Sequence, residues 1–161
     1  MKTTLIITTL LVAITCGILY GYACSVNPGL GRLRDAEYLK AMQEINRAII
    51  NPWFMICFIG PIILFPVSGL LIFRHAGAGQ ILTLVALSGI IYFVGVFLVT
   101  GAGNVPLNET LDRIQINTLS ETNLKACRDA FEIPWNKLHL IRTAASVVSL
   151  LLLLVALTRK S

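Results

Sequence analysis

Residues 135–157 read WNKLHLIRTAASVVSLLLLLVAL. The last fifteen of these form an apolar run long enough, with its flank, to cross a hydrocarbon core as helix. At ~100° per residue, Trp135, His139, Arg142, Ser146 and Ser149 fall on one stripe, spaced four, three, four and three. Lipid offers such a stripe no hydrogen-bond partner, so it must turn toward protein or water. Two accounts fit it. In one, the stripe is a site wall, because an ionisable side chain inside a membrane helix is functional by default. In the other, Arg142 snorkels to nearby headgroups beside an interfacial Trp.

The rest of the chain has the same character. Of 161 residues, 56% are hydrophobic and 13% charged, against about 25% charged in soluble domains. Charge-free stretches run from Leu5 to Ala23, Pro52 to Phe73 and Gln80 to Gly103. The sequence therefore predicts an all-α integral membrane four-helix bundle, one domain over 1–161, with spans at about 5–23, 52–73, 80–101 and 136–157. Gly21-Tyr22-Ala23 before Cys24 also resembles a signal-peptide cleavage site. The preceding apolar run is long for that role, so it is kept as a span.

The net charge of +5 forms no basic cluster of the kind that binds nucleic acid. Lys2, Arg74 and Arg159-Lys160 lie in short segments on one side of the bundle. That places both termini in the cytoplasm and the protein in the cell membrane. The four cysteines have no metal-ligand spacing, although Cys24 and Cys127 share the outer side, where a disulfide is chemically allowed.

Both long loops fall on that outer side. In the first, Asn27-Pro28-Gly29 reads as a helix exit, followed by an amphipathic helix over 35–50. Its apolar stripe is Tyr38, Met42, Ile45 and Ile49; Lys40 and Glu44 form an i, i+4 pair on the other face. Asn46 falls on the apolar side, either aimed at a site or tying down a loop. Asn51-Pro52 reads as an N-cap and first-turn proline launching the second span, which Pro61 and Pro66 should kink. Gly60, Gly69, Gly89 and Gly95 suit close helix approach, within one chain or in a homo-oligomer. The third span is expected to end at 100–103, with Asn104 and Asn108 either capping helices or facing a cavity. Short helices around Leu111/Ile114 and Leu124/Cys127/Phe131 should fill the second loop, with Ser120 capping the latter and Pro134 opening the fourth helix.

No phosphate loop, HExxH or nucleophile elbow occurs. The eight acids all map to the loops, which argues against a cation path through the bundle. His75 and His139 fall on opposite sides and cannot jointly hold a metal or haem, so no metal site is expected. What remains is a His, a cation, a Trp and several amides near one membrane face. That set suits a hydrophobic aromatic molecule or lipid: Trp135 stacks, Arg142 stabilises an oxyanion and His139 moves a proton.

Asn27-Pro28-Gly29, Ala41-Met42-Gln43 with Asn46-Arg47-Ala48, Asn51-Pro52-Trp53, Asn104-Val105-Pro106-Leu107-Asn108, and Trp135-Asn136 with His139 and Arg142-Thr143 occur in that order across nearly the whole chain. As a set they resemble the anthrone oxygenase-like family of small four-span membrane proteins, most of whose members are a domain of unknown function. Members with assigned activity oxidise a tricyclic anthrone to the anthraquinone with molecular oxygen and no bound cofactor. The resemblance implies that Asn46, Asn51, Asn104, Asn108, His139 and Arg142 converge. On the chemistry of the residues themselves, His139 as base or relay and Arg142 as oxyanion partner are the expected catalytic pair, with the amides and Trp135 holding substrate. One departure is that many members carry Trp-Asn where this chain has Leu138-His139.

Two rival readings stand beside the oxygenase. A non-enzymatic bundle that binds a lipid or a partner protein would use the polar stripe for packing. A small transporter would need paired discontinuous helices, whereas only the second span is proline-broken.

Overall fold

The computed structural model describes residues 2–159; Lys160, one of the basic residues used for orientation, lies outside them. Helix is the only regular structure among the described residues. In chain order the elements are α1 (Lys2–Leu30), α2 (Asp35–Ala48), α3 (Pro52–Ala76), α4 (Gln80–Asp112) and α5 (Glu121–Thr158), with a 3-10 turn at Ile116–Thr118. All but α2 are long and apolar enough to cross a membrane. Leu10, Ile63, Leu70 and Leu151 on their outer faces are more than half exposed, which water would penalise and lipid does not.

The spans form a ring: α1 packs on α3 and α5, and α4 packs on α3 and α5. This is an up-and-down arrangement of four helices. Val12, Tyr92, Val96 and Leu153 are fully buried at its centre. A Cβ added to Gly95 would come within 2.5 Å of the Ala145 Cβ, so α4 and α5 touch there because one of them lacks a side chain. Gly69, by contrast, has ordinary room around it, with the nearest atom at 3.7 Å.

Pro61 does not end α3. Lacking an N–H, it leaves the Cys57 carbonyl without its usual helical donor. Thr15 on α1 fills the gap, its Oγ1 donating to Cys57 O at 2.9 Å. Next to it, the Tyr92 hydroxyl of α4 donates to Phe58 O at 2.9 Å. The neighbouring helices therefore satisfy the backbone that the proline disturbs.

Three proline-based boundaries read from the sequence are corrected. The α1 helix does not exit at Asn27: a π-turn over Tyr22–Val26 intervenes, the Asn27 N–H donates to Tyr22 O, and Pro28 falls in the first turn of a resumed α-segment. The same device recurs in α4, where the Thr100–Asn104 π-turn ends with the Val105 N–H on Thr100 O and Pro106 follows. A π-turn inserts one residue into the helical register. The proline then occupies an early position, where a missing N–H costs little. Finally, Pro134 lies inside α5 rather than at its start. The fragment around Leu124, Cys127 and Phe131 forms the first turns of α5, begun by Ser120, whose Oγ accepts from the Asn123 N–H.

The amphipathic α2 roofs one end of the bundle. Its Tyr38, Leu39 and Met42 pack on Leu111, Phe131 and Trp135 as a second core. Gln43 Nε2 donates to Leu111 O at 2.9 Å and Ile114 O at 3.0 Å. Glu44 pairs with Arg47, not with Lys40 as its spacing predicted. Arg128 pins the α1–α2 connection to α5 by donating to Gly31 O, Leu33 O, Asp35 and Glu132, with its guanidinium 4.4 Å from the Tyr38 ring centroid. Burial, and secondarily the nearby Glu132 carboxylate, pushes the Tyr38 phenol above its ordinary pKa, so it stays protonated in the roof. All four cysteines are free thiols, Cys24 and Cys127 included.

Candidate functional site beneath the roof

The roof and the helix ends below it enclose a cavity of about 570 Å³, within the roughly 300–1,000 Å³ of small-molecule sites. Every helix contributes: Leu19 and Tyr22 from α1, Asn46 from α2, Phe54 and Phe58 from α3, Thr100 and Asn108 from α4, and Trp135, His139 and Arg142 from α5. A second cavity of about 490 Å³, between α3 and α4, is lined by hydrocarbon side chains and glycines. It carries no group suited to chemistry.

The polar stripe of α5 turns inward, with Trp135, His139, Ser146 and Ser149 buried and Arg142 half-buried, but it divides. The Trp135 and His139 rings stack at 5.0 Å and 12°, as i, i+4 neighbours on a helix can. Tyr22 packs against both, at 5.5 Å and 5.3 Å. Tyr22 and Thr100 each open a π-turn, and both residues border the cavity. Such turns recur at functional sites because they re-aim side chains. Ser146 and Ser149, deeper in the span, do not reach the cavity. Ser146 Oγ donates to Thr143 O within its own helix, while Ser149 exchanges hydrogen bonds with Ser88 of α4.

His139 is committed at both nitrogens. Nε2 lies 3.1 Å from Leu19 O, a carbonyl that can only accept, so the proton belongs there. Nδ1 then presents its lone pair to Arg142, whose Nε and Nη2 approach at 3.1 Å and 2.9 Å. One lone pair takes one good hydrogen bond, and the contact of Nη1 with Thr100 Oγ1 is long, at 3.5 Å. Arg142 has five N–H donors and no carboxylate partner among the described residues. Its guanidinium lies 5.1 Å from the Trp135 ring centroid. A cation at cavity depth thus keeps unspent donors.

The amides take different places. Asn108 Oδ1 accepts from Trp135 Nε1 at 2.9 Å and borders the cavity, fixing the indole. Asn46 also borders it, and its Nδ2 is buried with no partner among the described residues. Asn104 is buried beside the site, donating to Trp135 O at 3.3 Å, but does not line the cavity. Asn51 caps α3, accepting from the Phe54 N–H at 3.0 Å and donating to Ala48 O at 3.0 Å, and it also stands outside the cavity. The six residues expected to converge therefore split, with Asn46, Asn108, His139 and Arg142 at the cavity and Asn51 and Asn104 supporting its walls.

Several cavity residues, Tyr22 and Glu109 among them, were not read from the sequence as site residues. Tyr22 sits where a helix exit was expected to begin, with its hydroxyl donating only to the Met42 thioether at 3.1 Å. Glu109 sits where a surface helix was expected. The signal for it was available: Val105, Asn108, Glu109 and Asp112 share one face at i, i+3, i+4 and i+7, and all four border the cavity. Among the described residues no group of three or more His, Cys, Asp or Glu side chains is arranged to hold a metal ion.

A family model described as Anthrone oxygenase matches residues 54–152, more than half of the chain. That stretch contains Thr100, Asn108, Trp135, His139 and Arg142, and stops short of Tyr22 and Asn46. No curated protein and no solved structure matches.

Proposed function

The chain belongs to the anthrone oxygenase family, and from that premise we propose that it is a membrane oxygenase converting an aromatic carbon acid to a quinone in the cavity under α2. The observation that carries this reading is Arg142: a guanidinium with unspent donors, held by His139 at the wall of an otherwise largely apolar cavity. An unpaired cation at that depth is costly. A ligand that develops negative charge on oxygen relieves that cost, and it does so most in its anionic form, which is the condition for catalysis.

The chemistry is balanced by molecular oxygen alone. A ring methylene beside a ketone loses a proton, and its electron pair moves to the ketone oxygen as an enolate facing Arg142. The electron-rich carbon then reduces oxygen and bonds to it. One oxygen atom becomes the new carbonyl and the other leaves as water with the two methylene hydrogens. The methylene carbon loses four electrons and oxygen gains them. Binding, orientation and charge stabilisation are what the protein supplies.

In this assignment Arg142 is the oxyanion partner and His139, whose lone pair holds the guanidinium, positions it. For His139 itself to take a proton, Arg142 would have to rotate away. Asn46 Nδ2 gives a substrate oxygen a donor, Trp135 gives a ring surface, and Asn108 fixes Trp135. Asn51 and Asn104 hold the helices that carry these groups. The short basic segments at Lys2 and Arg74 support cytoplasmic termini in the cell membrane, with the cavity in the opposite leaflet; a hydrophobic substrate then enters from lipid.

The test is aerobic conversion of a simple anthrone by detergent-solubilised protein, followed together by absorbance and oxygen uptake. The expected result is turnover above the spontaneous background with one oxygen consumed per quinone formed. Rates equal to the background would overturn the enzymatic reading in favour of a ligand-binding role.

A further inference from the structure

We infer that Glu109 is the base that removes the substrate proton, an assignment that rests on the oxygenase reading and adds the group that reading lacks. The ionisable side chains bordering the cavity are Tyr22, Glu109, Asp112, His139 and the three arginines Arg47, Arg113 and Arg142, and most cannot serve or are already committed. Arginines stay charged and cannot serve as bases. The His139 lone pair receives Arg142. Asp112 is clamped by Arg47, with Nε at 2.8 Å and Nη2 at 2.7 Å. The Tyr22 hydroxyl is a donor to Met42. Of the two carboxylates that border the cavity, only Glu109 has no hydrogen bond or ion pair among the described residues.

Its placement suits the task. Glu109 lies one helical turn from Val105 and beside Asn108, on the face of α4 that borders the cavity. It is exposed at the rim, whereas Arg142 is half-buried in the wall. A flat ring held between them would present its ketone to the cation and its methylene to the carboxylate. The C–H bond breaks, an O–H bond forms on Glu109, and the electron pair passes through the ring to the ketone oxygen. A carboxylate can do this when the enolate is stabilised elsewhere in the site, and Arg142 supplies that stabilisation.

The step can be observed without oxygen. Under anaerobic conditions in deuterated buffer, the full-length wild-type protein should wash deuterium into the methylene of a simple anthrone. Glu109→Gln should slow this exchange by about 100-fold or more while still binding a phenolic anthraquinone with wild-type affinity, and Glu109→Asp should recover part of the rate. Wild-type exchange in Glu109→Gln would overturn the assignment. If the wild-type protein neither exchanges the methylene nor consumes oxygen, the oxygenase reading fails and Glu109 falls with it. If it exchanges and turns over but Glu109→Gln does so equally, only Glu109 is wrong.

Discussion

The two halves of one helical stripe behave differently. On α5, Trp135, His139 and Arg142 border a cavity, while Ser146 and Ser149, continuing the same face, are fully buried against neighbouring backbone. Every polar atom of the inner half has a partner, and those partners are helix carbonyls or another serine. The outer half keeps donors in reserve on Arg142, and Asn46 across the cavity does the same. Polar groups in a membrane bundle can thus serve packing or ligand binding, and the count of unspent donors separates the two uses.

That comparison predicts a split between rate and stability. Arg142→Met should lower turnover by about 100- to 1,000-fold, the usual loss for one oxyanion donor. Its thermal midpoint in detergent should hold or rise, because an unpaired charge is gone. His139→Phe should cost up to about 100-fold by freeing the guanidinium to wander; His139→Gln, whose amide oxygen can accept from Arg142, should regain much of that. Among the buried, fully partnered groups deeper in the bundle, Thr15 of α1 as well as the inner serines of α5, the effects move to stability. Thr15→Val strips the Cys57 carbonyl of its one substitute donor and should destabilise the bundle by about 1–3 kcal/mol, read by denaturation in mixed micelles, with turnover unchanged. Ser149→Ala should cost least, about 0.6 kcal/mol, the mean for interhelical hydrogen bonds in membranes. A large rate loss in either inner variant would erase the distinction.

Hydropathy made the bundle legible because lipid imposes one rule on every span: apolar surface outside and backbone bonds satisfied within. The ends of those helices were not legible. Pro28, Pro106 and Pro134 each look like boundaries, since proline usually stops a helix. Two are instead accommodated by π-turns, whose hydrogen-bond register depends on tertiary packing and leaves no local signature. The same turns explain the gaps in the site. Trp135, His139 and Arg142 were visible through helical period alone, and Asn51 was visible as a cap. Tyr22 was hidden because the helix carrying it was expected to end nearby. Glu109 was hidden because its helix was read as a separate surface element and not as the last turns of α4.

The central claim is that the outer half of the stripe is a receptor for an oxyanion. The most direct test is the absorbance of a phenolic anthraquinone, whose neutral and ionised forms differ in colour, titrated with the wild-type protein, Arg142→Met and Ser149→Ala at fixed pH. The account predicts that wild type and Ser149→Ala bind the ionised form at a pH where the free dye is neutral, and that Arg142→Met does not. Equal ionisation with all three proteins, or none with any, would contradict it.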